Sequence, residues 1–237
     1  MRCGGVSLLG NYHAKNQDRF CSTLLPGAVG LLAVSDGLGS CSWSEIGASA
    51  LIQAAVKVLS GRKNITNLLE WQHCLQDIHH HWLSILEKAK YKVVDCCCTA
   101  LLCVVMPGKL YCARLGDGMI GLVVDQKVHT MYDAKDDCFA NETYCLHQEY
   151  QPDEWDVQEI PFTQFSGALA CTDGISIAAG KYESFTKDFM REYESKQVEQ
   201  IQLEMKDWVS HWRSNDDKTV GFILPDIQEK NGVGADE

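Results

Sequence analysis

Carboxylates recur in this chain at the points where apolar runs stop. Asp36 follows AVGLLAVS, Asp173 follows ALACT, Asp18 closes the polar triplet NQD, Asp117 sits within RLGDG, and Asp216 with Asp217 stands just before KTVGFIL. A strand of small and branched apolar residues is normally buried, and a carboxylate is rarely buried without something to balance its charge. Glycine follows three of these sites, at Gly37, Gly118 and Gly174. The backbone can turn sharply there, and a carbonyl can approach a ligand closely. Hard oxygen donors with no His or Cys among them suit Mg²⁺ or Mn²⁺, which keep several waters in an octahedral shell. The plainer alternative is that each Asp-Gly is only a turn. Five carboxylate sites in order at strand ends favour one gathered metal centre over unrelated turns.

Such a centre needs elements to hold it. Residues 28–35 form a short apolar run with a turn signal on either side, as a buried strand does. Ser44 and Glu45 open a helix to residue 60, with Ile46, Ala50, Leu51, Ala54, Ala55 and Val58 on one stripe, and a second helix spans about 66–90. The period then changes. Short strands at 99–105, 110–115, 120–124 and 128–131, separated by PGK, GDG and DQ, read as an antiparallel meander. Residues 132–154 are polar and irregular. Strands follow at 155–160 and 167–172, helices at 181–193 and 197–213, and a closing strand in KTVGFILP. Helices stacked on antiparallel sheets make the fold class α+β.

Composition narrows the function. The formal net charge of -11 over 237 residues opposes a phosphodiester backbone, so nucleic acid is not expected as a partner. No apolar run approaches the length of a membrane span and the start does not resemble a secretory signal, which predicts a cytoplasmic protein without membrane contact. The surface suggests a monomer. The 12 cysteines show no CxxC pairing; they read as reduced thiols in a core, with Cys96, Cys97 and Cys98 alternating faces and unable to converge on one zinc. His73 and His79 to His81 read as a solvated helix face. There is no P-loop pattern, nor the short Cys and Arg spacing of a phosphocysteine route.

Taken together, N-Q-D at 16–18, V-S-D-G-L-G with S-E-I-G-A-S at 34–49, C-T-A-L-L at 98–102, R-L-G-D-G at 114–118, C-T-D-G-I at 171–175 and D-D-K-T-V at 216–220 resemble the bacterial branch of the protein phosphatase 2C family, the metal-dependent serine/threonine phosphatases. The resemblance implies a four-layer α-β-β-α sandwich of two antiparallel sheets flanked by helices. It also implies a single domain over 1–226 with a flap at 132–154, a loose tail at 227–237, and two or three Mn²⁺ or Mg²⁺ ions. Carried over residue by residue, Asp36 matches the carboxylate bridging two central ions, and Gly37 the residue lending a backbone carbonyl to one of them. Asp173 and Asp216 match the other direct ligands, Asp18 an aspartate usually bound through water, and Asp117 a ligand of a third, weaker ion. Asp217 falls where the family more often has Asn.

The implied reaction is hydrolysis of phosphoserine and phosphothreonine by a metal-activated water, with His13, Asp18 and Asp36 as the catalytic set. The substrate would be a phosphorylated protein, and a partner serine/threonine kinase is a family expectation. His13 stands where the family usually places a phosphate-clamping Arg. Without that fork, weaker phosphate affinity and more activity at slightly acid pH are expected, with Lys15 assisting. Gln17 replaces a usual Glu, which predicts looser metal binding, and Leu38 stands where eukaryotic members place a histidine. The acidity of the implied flap, with Asp133, Asp136, Asp137, Glu142 and Glu149, would disfavour acidic phosphopeptides. Two alternatives stand beside this reading: a weak or inactive relative that binds phosphoproteins as a regulator, and a metal phosphoesterase acting on small metabolites.

Overall fold

The structure, a computed structural model, describes residues 1–62, 64–132 and 143–227. The inner strands are apolar without a break, and their alternation explains why. In β3 (Val29–Ser35) Leu31 and Ala33 face one way, and Leu32 and Val34 the other. β4 (Ala100–Met106) repeats this, with Ala100, Leu102 and Val104 against helices and Leu101, Cys103 and Val105 against a second sheet. All seven residues of each strand are buried. A strand covered on both faces loses the apolar-polar alternation of a half-exposed one.

The first sheet has the order β2-β3-β4-β5-β8, where β2 is Arg19–Leu25, β5 is Lys109–Leu115 and β8 is Asp156–Pro161. The second has the order β1-β10-β9-β6-β7, where β1 is Arg2–Leu8, β6 is Met119–Val124, β7 is Lys127–Tyr132, β9 is Phe165–Cys171 and β10 is Lys218–Leu224. Every strand pairing is antiparallel. Helices α1 (Ser44–Ser60) and α2 (Leu68–Lys88) cover the first sheet, burying Leu51, Trp71, Leu75, Ile78 and Trp82. Helices α3 (Tyr182–Tyr193) and α4 (Val198–Ser210) cover the second through Phe189, Met190, Ile201, Met205 and Val209. A third apolar layer fills the space between the sheets. The result is the four-layer α+β sandwich of two five-stranded antiparallel sheets.

Three features depart from the sequence reading. The four strands after α2 are not one meander: β4 and β5 belong to the first sheet, β6 and β7 to the second. The chain changes sheet at Gly116-Asp117-Gly118, where both glycines take positive φ, 90° and 89°. Apolar patterning sees only that a strand is buried, not which sheet buries it. β1 and β2 were not expected, because Gly4 and Gly5 interrupt one and the other is only half-buried. A Cβ on Gly5 would lie 2.5 Å from the Phe20 ring and 2.6 Å from the Val220 carbonyl oxygen, so close strand packing, not turn formation, demands that glycine. Finally, His79 is buried: it bonds the His147 carbonyl at 2.8 Å and stacks near Trp82 and Tyr150, while His73, His80 and His81 are exposed. Residues 133–142 of the implied flap at 132–154, and 228–237 of the implied tail, lie outside the described residues.

Among the described residues no helix is long and apolar enough to cross a membrane.

Candidate metal centre

Strand register brings the carboxylates together. In the first sheet Arg19 pairs with Ser35, so the start of β2 and the end of β3 share one edge, and Asp18 and Asp36 lie there. In the second sheet Cys171 pairs with both Val220 and Met119, placing Asp173, Asp216 and Asp217 beside the start of β6. The Gly116-Asp117-Gly118 corner joins those two edges. Carboxylate oxygens of Asp36, Asp117 and Asp173 lie within 4.8 Å of one another, as do ligand atoms of His13, Asp216 and Asp217. Both groups open on one cleft of about 220 Å³, lined also by Tyr12, Gly37, Leu38, Gly39, Thr99 and Thr143.

Asp18 lies beneath this cleft, 1% exposed, and its Oδ2 accepts from the Thr172 hydroxyl at 2.8 Å. It is also in side-chain contact with Asp36, which in turn contacts Asp173. Asp36 prolongs β3: its backbone N–H donates to Thr99 Oγ1 at 2.9 Å, and its carbonyl accepts from the Thr99 N–H at 2.8 Å. Thr143 donates to Asp117 Oδ2 at 2.9 Å. Asp217 plays another part. Its two oxygens accept the backbone N–H groups of Gly10 and Gln17, both at 2.7 Å, and so pin the loop that carries His13.

The electrostatics point the same way. Burial, opposed by the Thr219 and Thr172 hydrogen bonds, lifts the Asp18 carboxyl to about 7. Burial and then the charges of Asp18 and Asp173 raise Asp36 well above the usual carboxylate range. Asp173, at the mouth, is raised to about 6 by desolvation and then by Asp117. Among the described residues no lysine or arginine comes within ion-pair distance of Asp18, Asp36, Asp117 or Asp173.

The arrangement fits divalent cations. Six buried side-chain nitrogen or oxygen atoms of the described residues lack a hydrogen-bond partner, and four of them gather here: His13 Nδ1, Gln17 Oε1, Asp18 Oδ1 and Ser44 Oγ, the last beside Gly37. Orphaned buried polar atoms are rare in folded proteins and call for a partner, an ion or a water, to account for them. An all-oxygen group of carboxylates matches Mg²⁺ or Mn²⁺ and their waters.

Every residue of the expected set except Asp18 lines the cleft, and Asp18 supports it from below. His13 lies with Nδ1 3.7 Å from Asp216 Oδ1 and 3.5 Å from Asp217 Oδ2. Lys15 is engaged elsewhere, 3.4 Å from Glu45 Oε1 and above the Trp43 ring. Sequence reasoning missed the threonines. Thr99, Thr172 and Thr219 hold Asp36 and Asp18 in place, and their signal was present in the recurring C-T and K-T beside each motif.

A family model described as protein phosphatase 2C matches residues 11–212. No curated protein matches the sequence. A bacterial serine phosphatase superposes with a TM-score of 0.72 at 12% identity, over 97% of this chain and 99% of that one. A serine/threonine phosphatase from Staphylococcus aureus gives 0.70 at 12%, over 94% of each chain. The catalytic domain of the serine/threonine protein phosphatase PstP, solved in complex with two manganese ions, gives 0.66 at 17%, over 93% of this chain and 96% of that one. At these identities the likeness is one of fold.

Proposed function

The chain belongs to the protein phosphatase 2C family, and from that premise we propose that it hydrolyses phosphoserine and phosphothreonine in proteins with the help of two or three Mn²⁺ or Mg²⁺ ions. The observation that carries this reading is the convergence of Asp36, Asp117, Asp173 and Asp216 on one cleft over a buried Asp18, with no basic side chain of the described residues paired to the inner four. When bound, divalent cations supply charge balance for these carboxylates and a water acidified enough to act as a nucleophile near neutral pH.

The chain's own residues do the rest. Asp36, in contact with both Asp18 and Asp173, would be the central ligand for the cations, with Gly37 at its side. Asp117 and Asp173 together offer a second carboxylate pair, and Asp216 closes the other side. Thr172 holds the Asp18 carboxylate and Thr99 the Asp36 backbone, so that little would reorganise when substrate arrives. His13 lines the opening, within reach of a phosphoryl oxygen, and Asp217 sets its height by pinning Gly10 and Gln17. Leu38 lines the opening where a histidine acid would stand, so the leaving oxygen receives no proton from that position. Good leaving groups should therefore be favoured. A phosphorylated protein is the substrate class, a serine/threonine kinase the source of its phosphate, and a cytoplasmic monomer the working form.

The test is hydrolysis of p-nitrophenyl phosphate across a manganese titration, with Asp36→Asn beside the parent. Manganese-dependent turnover that falls at least ~100-fold in the variant is expected, since the shared carboxylate is removed. A folded, metal-loaded parent with no turnover would instead favour a regulatory phosphoprotein-binding role.

A further inference from the structure

Of three consecutive cysteines, Cys96 and Cys98 enter the apolar layer under α1 and α2, and Cys97 does not. Cys97 turns instead to a groove of about 890 Å³ on the flank of the molecule, shared with Leu83, Tyr91, Val94 and His147. There its thiol lies over the Val93 and Val94 carbonyls at 3.7 and 3.8 Å, with the Cys145 side chain beside it and the Cys41 thiol approaching from a third segment. The backbone holds this meeting in place. Cys98 is bridged on one side to Gly37 and on the other to Leu146, whose N–H donates to the Cys98 carbonyl at 2.8 Å. Cys97 and Cys145 are thus diagonal neighbours on one face of an antiparallel bridge.

We propose that Cys97 and Cys145 are a thiol oxidation site that closes into a reversible disulfide when it meets hydrogen peroxide. Cys145 is the attacking sulfur, because it is partly exposed and accepts the Cys97 hydrogen bond, which favours its thiolate. That thiolate attacks one peroxide oxygen; the O–O bond breaks, and after protonation one water leaves and Cys145 carries a sulfenic acid. The Cys97 sulfur then displaces the sulfenic hydroxyl, which takes the Cys97 proton and departs as a second water. Two thiols and one peroxide become one disulfide and two waters. Diagonal neighbours stand roughly 7–8 Å apart at Cα, so closing the bond draws the two segments together by about an ångström.

The bond would join the segment after residue 142 to the start of β4 (Ala100–Met106). Thr143, which donates to Asp117, lies two residues before Cys145, and Gly37 is bridged one residue beyond Cys97. The clasp therefore fastens a covering segment beside the cleft. Cys103 and Cys112 provide an internal control: they face each other across β4 and β5, also in thiol contact, but both are 0% exposed between the sheets.

The experiment uses the full chain, reduced, freed of reductant, and treated with stoichiometric hydrogen peroxide under native conditions. Free thiols are then alkylated, and the protein is digested and mapped by mass spectrometry. The expected result is a Cys97–Cys145 linked peptide, lost on treatment with dithiothreitol and absent from both Cys97→Ser and Cys145→Ser, with Cys103 and Cys112 still alkylated. Backbone amide exchange over 143–149 should slow in the oxidised parent and not in either variant. A link from Cys97 to Cys41, a stable unpaired sulfenic acid at Cys145, or a full complement of reduced thiols would each overturn the assignment. None of these readouts depends on phosphatase activity.

Discussion

On the proposed reading, a single side chain at the mouth of the cleft, His13, would decide how firmly phosphate is held. His13 sits over Asp216 and Asp217 and presents one ring nitrogen at a time, whereas Arg presents a planar fork that meets two phosphoryl oxygens together. His13→Arg is expected to lower KM for p-nitrophenyl phosphate several-fold and leave kcat within about twofold, since the added contact exists before and during the reaction. Steady-state kinetics at saturating manganese check this, and an unchanged KM would remove His13 from the phosphate site. Thr172 acts one step further in. Its hydroxyl donates to Asp18 and accepts from the Thr219 N–H at 3.1 Å, both in buried surroundings. Thr172→Val keeps the volume, removes both bonds and leaves the Thr219 N–H unsatisfied, at a cost of about 1–3 kcal/mol. A fall in denaturant midpoint with unchanged slope is the expected signature. The carboxylates of this site were legible in the sequence because charge at the end of an apolar strand is conspicuous. The threonines stood in the same motifs, in the C-T and K-T pairs, but went unread because a buried hydroxyl resembles any other small residue in a strand.

At the scale of elements, the site exists because strand ends meet, so backbone spacing matters as much as side-chain chemistry. Gly174 follows Asp173 and passes against the chain entering β10; a Cβ there would sit 1.8 Å from the Asp217 carbonyl oxygen. Gly174→Ala must therefore push two strand ends apart. Overpacking of this kind costs about 1–3 kcal/mol, and here it also separates Asp173 from Asp216. Calorimetric titration with manganese should show weaker binding together with a lower melting temperature; weaker folding with unaltered binding would mean that the ends tolerate the shift. The inner strands were readable as strands because both faces are buried and the apolar run is continuous. Their distribution between sheets was not, since the corner at Gly116 to Gly118 looks like any hairpin turn in sequence, and only the positive φ of both glycines and the pairing of β5 with β8 show the change of sheet. β1 escaped notice for the opposite reason: Gly4 and Gly5 carry no propensity signal and are explained only by Phe20 and Phe222, far away in the chain.

For the whole molecule, the gathered carboxylates should make stability depend on pH, with a sign that reverses if cations bind. Without metal, Asp18 is raised to about 7 and Asp173 to about 6, and Asp36 is raised as well, chiefly by burial. In the unfolded chain the same groups ionise near 4. Between these values the folded state holds more protons than the unfolded state, so stability falls as pH rises through that window. The contribution is fully present below pH 4 and is lost by about pH 7, on the order of 4 kcal/mol for the buried Asp18. Bound Mn²⁺ inverts this, because a ligand carboxylate must be deprotonated and metal affinity therefore grows with pH. At 100-fold excess over the dissociation constant it adds about 2.7 kcal/mol, several degrees in a chain of this size. Melting curves from pH 5 to 7.5 should thus descend in EDTA and climb in manganese, diverging steadily. Asp18→Asn is the control: with no charge to desolvate, its EDTA curve should be flatter and lie above that of the parent at pH 7.5. Parallel curves for the parent would show that the gathered carboxylates are balanced from within the protein and need no cation.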